Sequence, residues 1–188
     1  MNPLALLEKY FGANRAALEI VCQHSRKVAD KALSIATAAG VPEAELQFIE
    51  EAALLHDIGV CRIHAPKLHC FGQAPYICHG ILGSEILETE GLARHALVCE
   101  RHIGVGLSRR DIELQKLPLP PREMSPRDLG ERVVALADLF FSKKQGELER
   151  EKSVAQVKSE LLRFGQEKVV IFESWLSELG LPPGPRPF

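Results

Sequence analysis

The sequence lacks several features that would place it in a specialised class of protein. No apolar run approaches the roughly 20 residues that a membrane-spanning helix needs. The formal net charge is only −2, with 23 Lys and Arg against 25 Asp and Glu, so a strongly basic surface for nucleic acid is absent. The first residues do not show the basic and then apolar pattern of a secretory signal. We therefore expect a cytoplasmic globular protein that binds neither membrane nor nucleic acid.

Cysteine is present, but its arrangement does not predict a disulfide or zinc framework. The five cysteines are an odd number, and no two of them form a Cys-x-x-Cys pair. Cys61, His64, His69, Cys70 and Cys78 crowd into one stretch, yet their spacing matches no familiar zinc site. We interpret these cysteines as small apolar side chains in a reducing compartment.

The chain contains enough apolar sequence for one helical domain. Its 188 residues are 46% hydrophobic and 26% charged, the proportions of a single globular domain. Apolar residues recur at spacings of three and four over most of the chain, whereas strand patterns are scarce. The sequence predicts one all-α domain over residues 1–188, a compact helical bundle with six or more helices. A C-terminal helix over 153–179 is expected to pack on this domain, with a loose tail over 182–188.

Prolines and glycines divide the helical pattern into segments. Helices are predicted over about 4–11, 15–39, 43–58, 79–89 and 93–102, and another over 127–144 with Ser125 as its N-cap. Residues 60–78 are the least regular part, because Pro66, Gly72 and Pro75 interrupt them. A loop of that length in a compact domain is more often functional than neutral.

Histidine is abundant for a chain with one tryptophan and two tyrosines. Four of the seven histidines lie on helix faces or at helix ends that are otherwise predicted to be buried: His24, His56, His79 and His102. Asp57 follows His56 directly, and Asp138 lies within an apolar run. Burying an unpaired carboxylate costs several kcal/mol, so Asp138 needs a cation or strong hydrogen-bond donors.

Each of these residues has a simpler explanation when it is taken singly. An isolated histidine on an apolar face is usually a core residue with satisfied hydrogen bonds, and Arg132 could pair with Asp138. Their order on separate helical segments, however, allows all of them to converge in the middle of a bundle. Imidazole with carboxylate is a ligand set for Fe, Mn or Zn that needs no thiolate.

This order of residues resembles the HD-domain superfamily of metal-dependent phosphohydrolases over about residues 20–145. The run over 53–59, ALLHDIG, has the HDIG form of that family. Asp138, within the run ALADL over 135–139, matches the closing aspartate of the family pattern. His79 and His102 match the members that hold two metal ions.

The resemblance implies two divalent transition-metal ions, Fe or Mn in the first place and Zn, Co or Ni as alternatives. The implied ligands of the first ion are His24, His56, Asp57 and Asp138. The implied ligands of the second are His79, His102 and Asp57, which would bridge the two. The resemblance also implies hydrolysis of a phosphoester or phosphoanhydride, with a nucleotide as the expected substrate. A hydroxide that bridges the ions would attack phosphorus, which gives His56 and Asp57 catalytic roles.

One departure from the family pattern concerns the contact to substrate. Many two-metal members have a lysine directly after the glycine of this motif, whereas this chain has Val60. The candidates to replace that lysine are Arg62, Lys67, Arg101 and Arg109, with Lys143 and Lys144 as further ones. A solvated surface charge explains each of them as well.

Two other functions stay open with the same ligands. One is a di-iron oxygenase of the HD-like class, which would use O₂ to cleave a C–C or C–P bond. The other is a non-catalytic, metal-containing module that binds a small ligand. His64, His69 and His95 have no ligand role in the family pattern, and we interpret His95 as a surface residue. A small phosphorylated substrate is the expected partner of a monomer or homodimer.

Overall fold

The computed structural model describes residues 1–144 and 146–182, and most of its regular structure is helical. The α-helices of those residues are α1 (Pro3–Phe11), α2 (Arg15–Ala38), α3 (Glu43–Leu55), α4 (His79–Thr89), α5 (Ala93–Arg101), α6 (Arg109–Leu114), α7 (Leu129–Asp138), α8 (Val154–Leu162) and α9 (Gln166–Glu178). Short 3₁₀ turns cover Ile58–Arg62, Pro66–Leu68 and Tyr76–Cys78. The prediction of an all-α domain is confirmed.

The irregular stretch between α3 and α4 contains a small sheet that the sequence pattern did not predict. Strand β1 (His64–Ala65) pairs with β2 (Cys70–Phe71) in an antiparallel hairpin. Two residues a strand are too few to give a visible alternation of apolar and polar positions. None of the described helices is long and apolar enough to cross a membrane.

Helix α2 is the longest element, and apolar residues recur every three or four positions along its 24 residues. The Asn14 side chain caps its first turn by accepting a hydrogen bond from the Ala17 amide. Gly40, with φ +72°, follows the last turn, so the helix ends where the sequence predicted.

Two hydrophobic clusters form most of the core, and α2 contributes to both. The first cluster gathers α1, the first half of α2, α4 and α5, and the second gathers the rest of α2 with α3, α7, α8 and α9. His24 lies between Val21 of the first cluster and Val28 of the second. Polar side chains from several helices therefore meet at the seam between two apolar clusters.

Three predicted helices have different bounds in the structure. The helix predicted over 43–58 ends at Leu55, where a 3₁₀ turn takes over. The helix predicted over 127–144 is shorter at both ends, and its N-cap is Asp128, which accepts from the Glu131 amide, rather than Ser125. The single helix predicted over 153–179 is two helices, because Gly165 between them adopts φ +128°, which no helix contains. Residues 183–188 of the predicted loose tail lie outside the described residues.

Glycines allow close backbone contact between the 3₁₀ turn Ile58–Arg62, α4 and α5. A Cβ atom on Gly59 would lie 2.0 Å from the carbonyl oxygen of His79. A Cβ atom on Gly80 would lie 2.7 Å from the carbonyl oxygen of Cys99 on α5. Larger residues at these positions would push apart the segments that carry three of the candidate ligands.

Candidate metal centre

The six side chains predicted as metal ligands meet at the seam between the two core clusters. They are His24 on α2, His56 and Asp57 directly after α3, His79 at the start of α4, His102 directly after α5 and Asp138 at the end of α7. The first five are buried, whereas 18% of the Asp138 side chain is exposed. Asp138 is thus the member of the group that faces solvent.

One carboxylate oxygen of Asp57 faces His24, His56 and Asp138. Its Oδ2 atom lies 3.1 Å from His56 Nε2 and 3.4 Å from His24 Nε2. Asp138 Oδ1 lies 2.9 Å from His24 Nε2 and 3.4 Å from His56 Nε2. These atoms enclose a point at which one cation would be surrounded by imidazole nitrogens and carboxylate oxygens.

The other carboxylate oxygen of Asp57 faces a separate pair of histidines. Its Oδ1 atom lies 3.5 Å from His79 Nε2 and 3.8 Å from His102 Nε2. The two Nε2 atoms are 3.0 Å apart. Nitrogen ligands about 2.1 Å from one ion lie about 3 Å apart when they subtend a right angle at it. The spacing of His79 and His102 therefore fits two ligands of a single ion.

Three of these imidazoles are oriented by the same local hydrogen bond. The Nδ1 atoms of His56, His79 and His102 donate to the backbone carbonyl three residues earlier, at 2.6, 2.7 and 2.8 Å. A carbonyl oxygen can only accept, so Nδ1 carries the proton and Nε2 is left to face the centre. Proteins commonly orient metal-binding imidazoles in this way.

The electrostatics of the centre keep both carboxylates ionised. Burial acts to raise the pKa of Asp57 and of Asp138, but the cationic groups around them, Lys143 and His56 among them, hold both values well below the usual range. Burial acts to lower the pKa of His56, yet Asp57 and Asp138 outweigh it and raise that pKa to about 10. Burial and the charge on His56 lower the pKa of His102 to about 3.

The donor atoms fit divalent metal ions. His56 Nε2 and Asp57 Oδ1 are buried and lack a hydrogen bond within the described residues, whereas Asp57 Oδ2 has the ammonium of Lys143 at 2.6 Å. Folded proteins rarely leave such atoms without compensation, and a cation would satisfy them. Two sets of three residues have their ligand atoms within 4.8 Å of one another. One set is His24, His56 and Asp138, and the other is His56, Asp57 and His102. Either set could hold an ion.

Lys143 also reaches the centre. Its Nζ atom lies 2.6 Å from Asp57 Oδ2, and only 10% of its side chain is exposed. Val60, which stands where many members of the resembled family have a lysine, is fully buried. Helical periodicity does not show that the chain turns back after Asp138, so the sequence indicates Lys143 only as a further candidate.

A cavity of about 990 Å³ opens beside Asp138. Four lysines line it: Lys67, Lys143, Lys144 and Lys152. Lys67 was a predicted substrate contact, and its place in the cavity wall is compatible with that role. Residues of the irregular stretch, from Ala65 to Leu68, form part of the same wall.

The other three predicted substrate contacts do not line this cavity, because a carboxylate holds each guanidinium elsewhere. Arg62 lies 3.6 Å from Glu85, Arg101 lies 2.7 Å from Glu131 and Arg109 lies 2.7 Å from Glu113. The substrate contact predicted for these arginines stays a prediction, and the lysines are the cationic side chains that line the cavity beside Asp138.

The remaining histidines and the cysteines lie apart from the centre. His64 and His69 are exposed. His95 is not the surface residue that was predicted, since only 12% of its side chain is exposed and it packs edge-on against Phe48 at 5.0 Å between ring centroids. In the described part of the chain, the donor sets that could hold an ion contain no cysteine, and the five cysteines are free thiols.

Comparison with known proteins identifies the class to which this fold and centre belong. The HD domain family matches residues 21–141, which is more than half of the 188 residues. The chain belongs to the HD domain family, so the family membership drawn from the sequence is confirmed.

Individual relatives come from archaea. An uncharacterized protein of Methanocaldococcus jannaschii is 36% identical over 135 residues, which cover 70% of this chain and 72% of that protein. A tRNA (cytidine(56)-2′-O)-methyltransferase of Thermoplasma volcanium is 32% identical over 140 residues, 74% of this chain and 35% of that protein. The methyltransferase of the same name from Picrophilus torridus is 34% identical over 97 residues, 51% of this chain and 25% of that protein. The similarity thus spans a minor part of each methyltransferase.

Proposed function

We propose that the protein hydrolyses a phosphoester or phosphoanhydride bond in a small substrate, with a nucleotide as the first candidate, and that it uses two divalent transition-metal ions, Fe or Mn. The observation that carries the proposal is the position of Asp57. Its two oxygens face two separate groups of donors beside a cavity lined by lysines. In this proposal the first ion is held by His24, His56, Asp57 and Asp138, and the second by Asp57, His79 and His102.

Two such ions, when bound, activate water and neutralise the charge that develops on a phosphoryl group during its transfer. The contribution of the chain is to keep the ligands in fixed positions. Asp57 is buried and ionised, so it holds the two groups of donors at a constant spacing. Backbone carbonyls keep the imidazoles of His56, His79 and His102 turned towards the centre.

The direction from which substrate enters follows from the exposure of the ligands. Asp138 is the partly exposed member of the group, and it lines the lysine-bearing cavity. A phosphoryl group that enters through this cavity would meet the centre beside Asp138. The ammonium groups of the lysines would then bind the non-reacting phosphate oxygens.

The test is phosphate release from a panel of nucleoside monophosphates, diphosphates and triphosphates by protein loaded with Mn or Fe. We expect turnover of at least one member, and we expect Asp57→Asn to abolish it. His64→Gln, at an exposed histidine outside the centre, is the matched control and should retain full activity. Absence of turnover of these nucleotides and of an aryl phosphate, by protein with two equivalents of metal, would refute the proposal. Uptake of O₂ that depends on an organic substrate would favour an oxygenase instead.

A further inference from the structure

A second cavity, of about 330 Å³, adjoins the lysine-lined one and has mostly apolar walls. The polar side chains among its lining residues are Gln115, Glu160 and Lys168. Two of them already have partners, because Lys168 Nζ donates to Asp111 at 2.6 Å and Glu160 accepts from Lys152 at 2.7 Å. The cavity therefore offers apolar area and little capacity to read a pattern of hydrogen bonds.

Residues that line this apolar cavity adjoin candidate ligands along the chain. Three of its lining residues are neighbours of candidate ligands in the chain: Ile77 precedes His79 by two positions, Ile103 follows His102 and Leu139 follows Asp138. Leu139 and Glu160 line both cavities. The two cavities therefore share part of their walls.

We propose that the apolar cavity binds the organic group of the substrate, and that the substrate is a phosphate compound whose organic group is apolar and about the size of two fused rings. An apolar cavity of about 150 Å³ holds one benzene molecule, so 330 Å³ is enough for a two-ring group. This inference rests on the proposed function, because it takes the phosphate to lie at the candidate centre. The cavity would then select the substrate by its shape and apolar area rather than by hydrogen bonds to a base.

Much of this selectivity comes from helices beyond the family match. Val157 and Leu161 of α8 and Phe164, which follows it, form one wall of the apolar cavity, and all three lie outside residues 21–141. Lys152 and Glu160, also outside that match, form an ion pair at the boundary between the two cavities. These wall residues therefore lie outside the family match, whereas the six candidate ligands lie within it.

Calorimetric binding of two phosphonates to the metal-loaded full chain tests the inference. Neither 1-naphthylmethylphosphonate nor methylphosphonate can be hydrolysed at its P–C bond, so binding is measured without turnover. We expect the naphthyl compound to bind about tenfold tighter or better, because apolar area is buried only in that complex. Phe164→Ser should reduce this advantage several-fold and leave methylphosphonate binding unchanged.

The matched control is Phe71→Ser. Phe71 is 72% exposed and lines neither cavity, and Phe164 is 61% exposed, so neither substitution should prevent folding. Equal affinities for the two phosphonates would overturn the inference, as would an equal effect of the two serine variants. Preferential binding of the naphthyl compound without turnover of any phosphate ester would support the inference and refute the proposed hydrolase. Turnover of methyl phosphate and 1-naphthyl phosphate with equal KM would support the proposed hydrolase and overturn the inference about the apolar cavity.

Discussion

His79 and His102 direct their Nε2 atoms at each other across 3.0 Å, and neither has a proton to place between them. Burial lowers the pKa of both imidazoles, and each Nδ1 proton is donated to a backbone carbonyl. Two nitrogen lone pairs at this distance repel each other. A metal ion bound to both converts that repulsion into two ligand bonds, so the pair has the geometry of a binding site.

The assignment of two ions predicts different losses of metal for different ligands. His102→Ala should reduce the content from about two equivalents to about one, because it removes a ligand of the second ion alone. Asp57→Ala should remove nearly all metal, since both ions share this residue. Elemental analysis of the purified variants measures the content, and His64→Ala should match the unsubstituted protein. Identical losses in His102→Ala and Asp57→Ala would contradict the two-ion arrangement.

Removal of metal should lower thermal stability. An ion present at about 100 times its Kd stabilises the folded state by about 2.7 kcal/mol, which corresponds to roughly 5–10 °C in Tm for a domain of this size. Differential scanning calorimetry with and without a chelator measures the shift. Asp57→Asn should show no response to the chelator, and a full response in that variant would show that the metal binds elsewhere.

Lys67 should contribute to substrate binding and not to metal binding. It is the lysine of the larger cavity that has no ion pair among the described residues, whereas Lys143, Lys144 and Lys152 each have a carboxylate within 4.0 Å. Lys67→Gln should raise KM for a hydrolysed substrate about tenfold, the effect of losing one charge-assisted hydrogen bond. Steady-state kinetics and elemental analysis check both parts. Lys116→Gln, at an exposed lysine outside the cavity, should change neither.

Gly59→Ala should damage the centre by moving a helix. Its Cβ would overlap the carbonyl oxygen of His79, so α4 has to shift and His79 with it. We expect a loss of stability above about 2 kcal/mol and weaker binding of the second ion. Urea unfolding and metal titration measure the two effects. A Cβ atom on Gly91 would have no atom within 4 Å. Gly91→Ala should therefore lower the free energy of unfolding by about 1 kcal/mol, because alanine disfavours the left-handed backbone conformation, and it should leave metal binding intact.

The contact between α6 and α9 should give stability that depends on pH. Burial acts to raise the pKa of Asp111, but hydrogen bonds from Lys168 and Ser108 outweigh it and hold that pKa below its usual value. The contribution of the ionised carboxylate is therefore complete above the unfolded pKa of about 3.9 and is lost as pH falls through the folded pKa.

Asp111→Asn tests this linkage. At pH 6 the variant should be less stable than the unsubstituted chain by about 1–3 kcal/mol, because the nearly buried Lys168 loses its charged partner. The difference should shrink as the pH is lowered from 4 towards 2.5, as measured by urea unfolding. Arg109→Gln, which breaks an exposed pair with Glu113, should leave the stability nearly unchanged at every pH, because solvent screens such a pair. A difference for Asp111→Asn that stays constant with pH would contradict the assignment.

The helical class and the six candidate ligands could be predicted because they depend on local periodicity and on the order of residues along the chain. Buried histidines on otherwise apolar faces, such as His24, are visible in a single sequence. Lys143 was hard to place because its approach to Asp57 depends on a turn after α7. The break at Gly165 was missed because the apolar pattern continues across it.

The apolar cavity could not be predicted for a further reason. Its walls come from segments as distant in sequence as Ile77 and Phe164, and no periodicity within one helix shows that two such residues share a surface. The positions of the arginines could not be predicted from nearness in sequence either. Arg101 is close to His102 in sequence, yet Glu131 holds its guanidinium away from the cavity.

The break at Gly165 has a consequence for how this protein can diversify. It ends α8 before α9 begins, so that α8 lines both cavities and also packs with α9 into the second core cluster. Part of the apolar cavity's wall is thus encoded after the last candidate ligand, although residues such as Ile77 and Ile103 lie among the ligands in the chain. If the proposed function holds, we expect substitutions in α8 to change which molecules the cavities accept and to leave the candidate ligands in place.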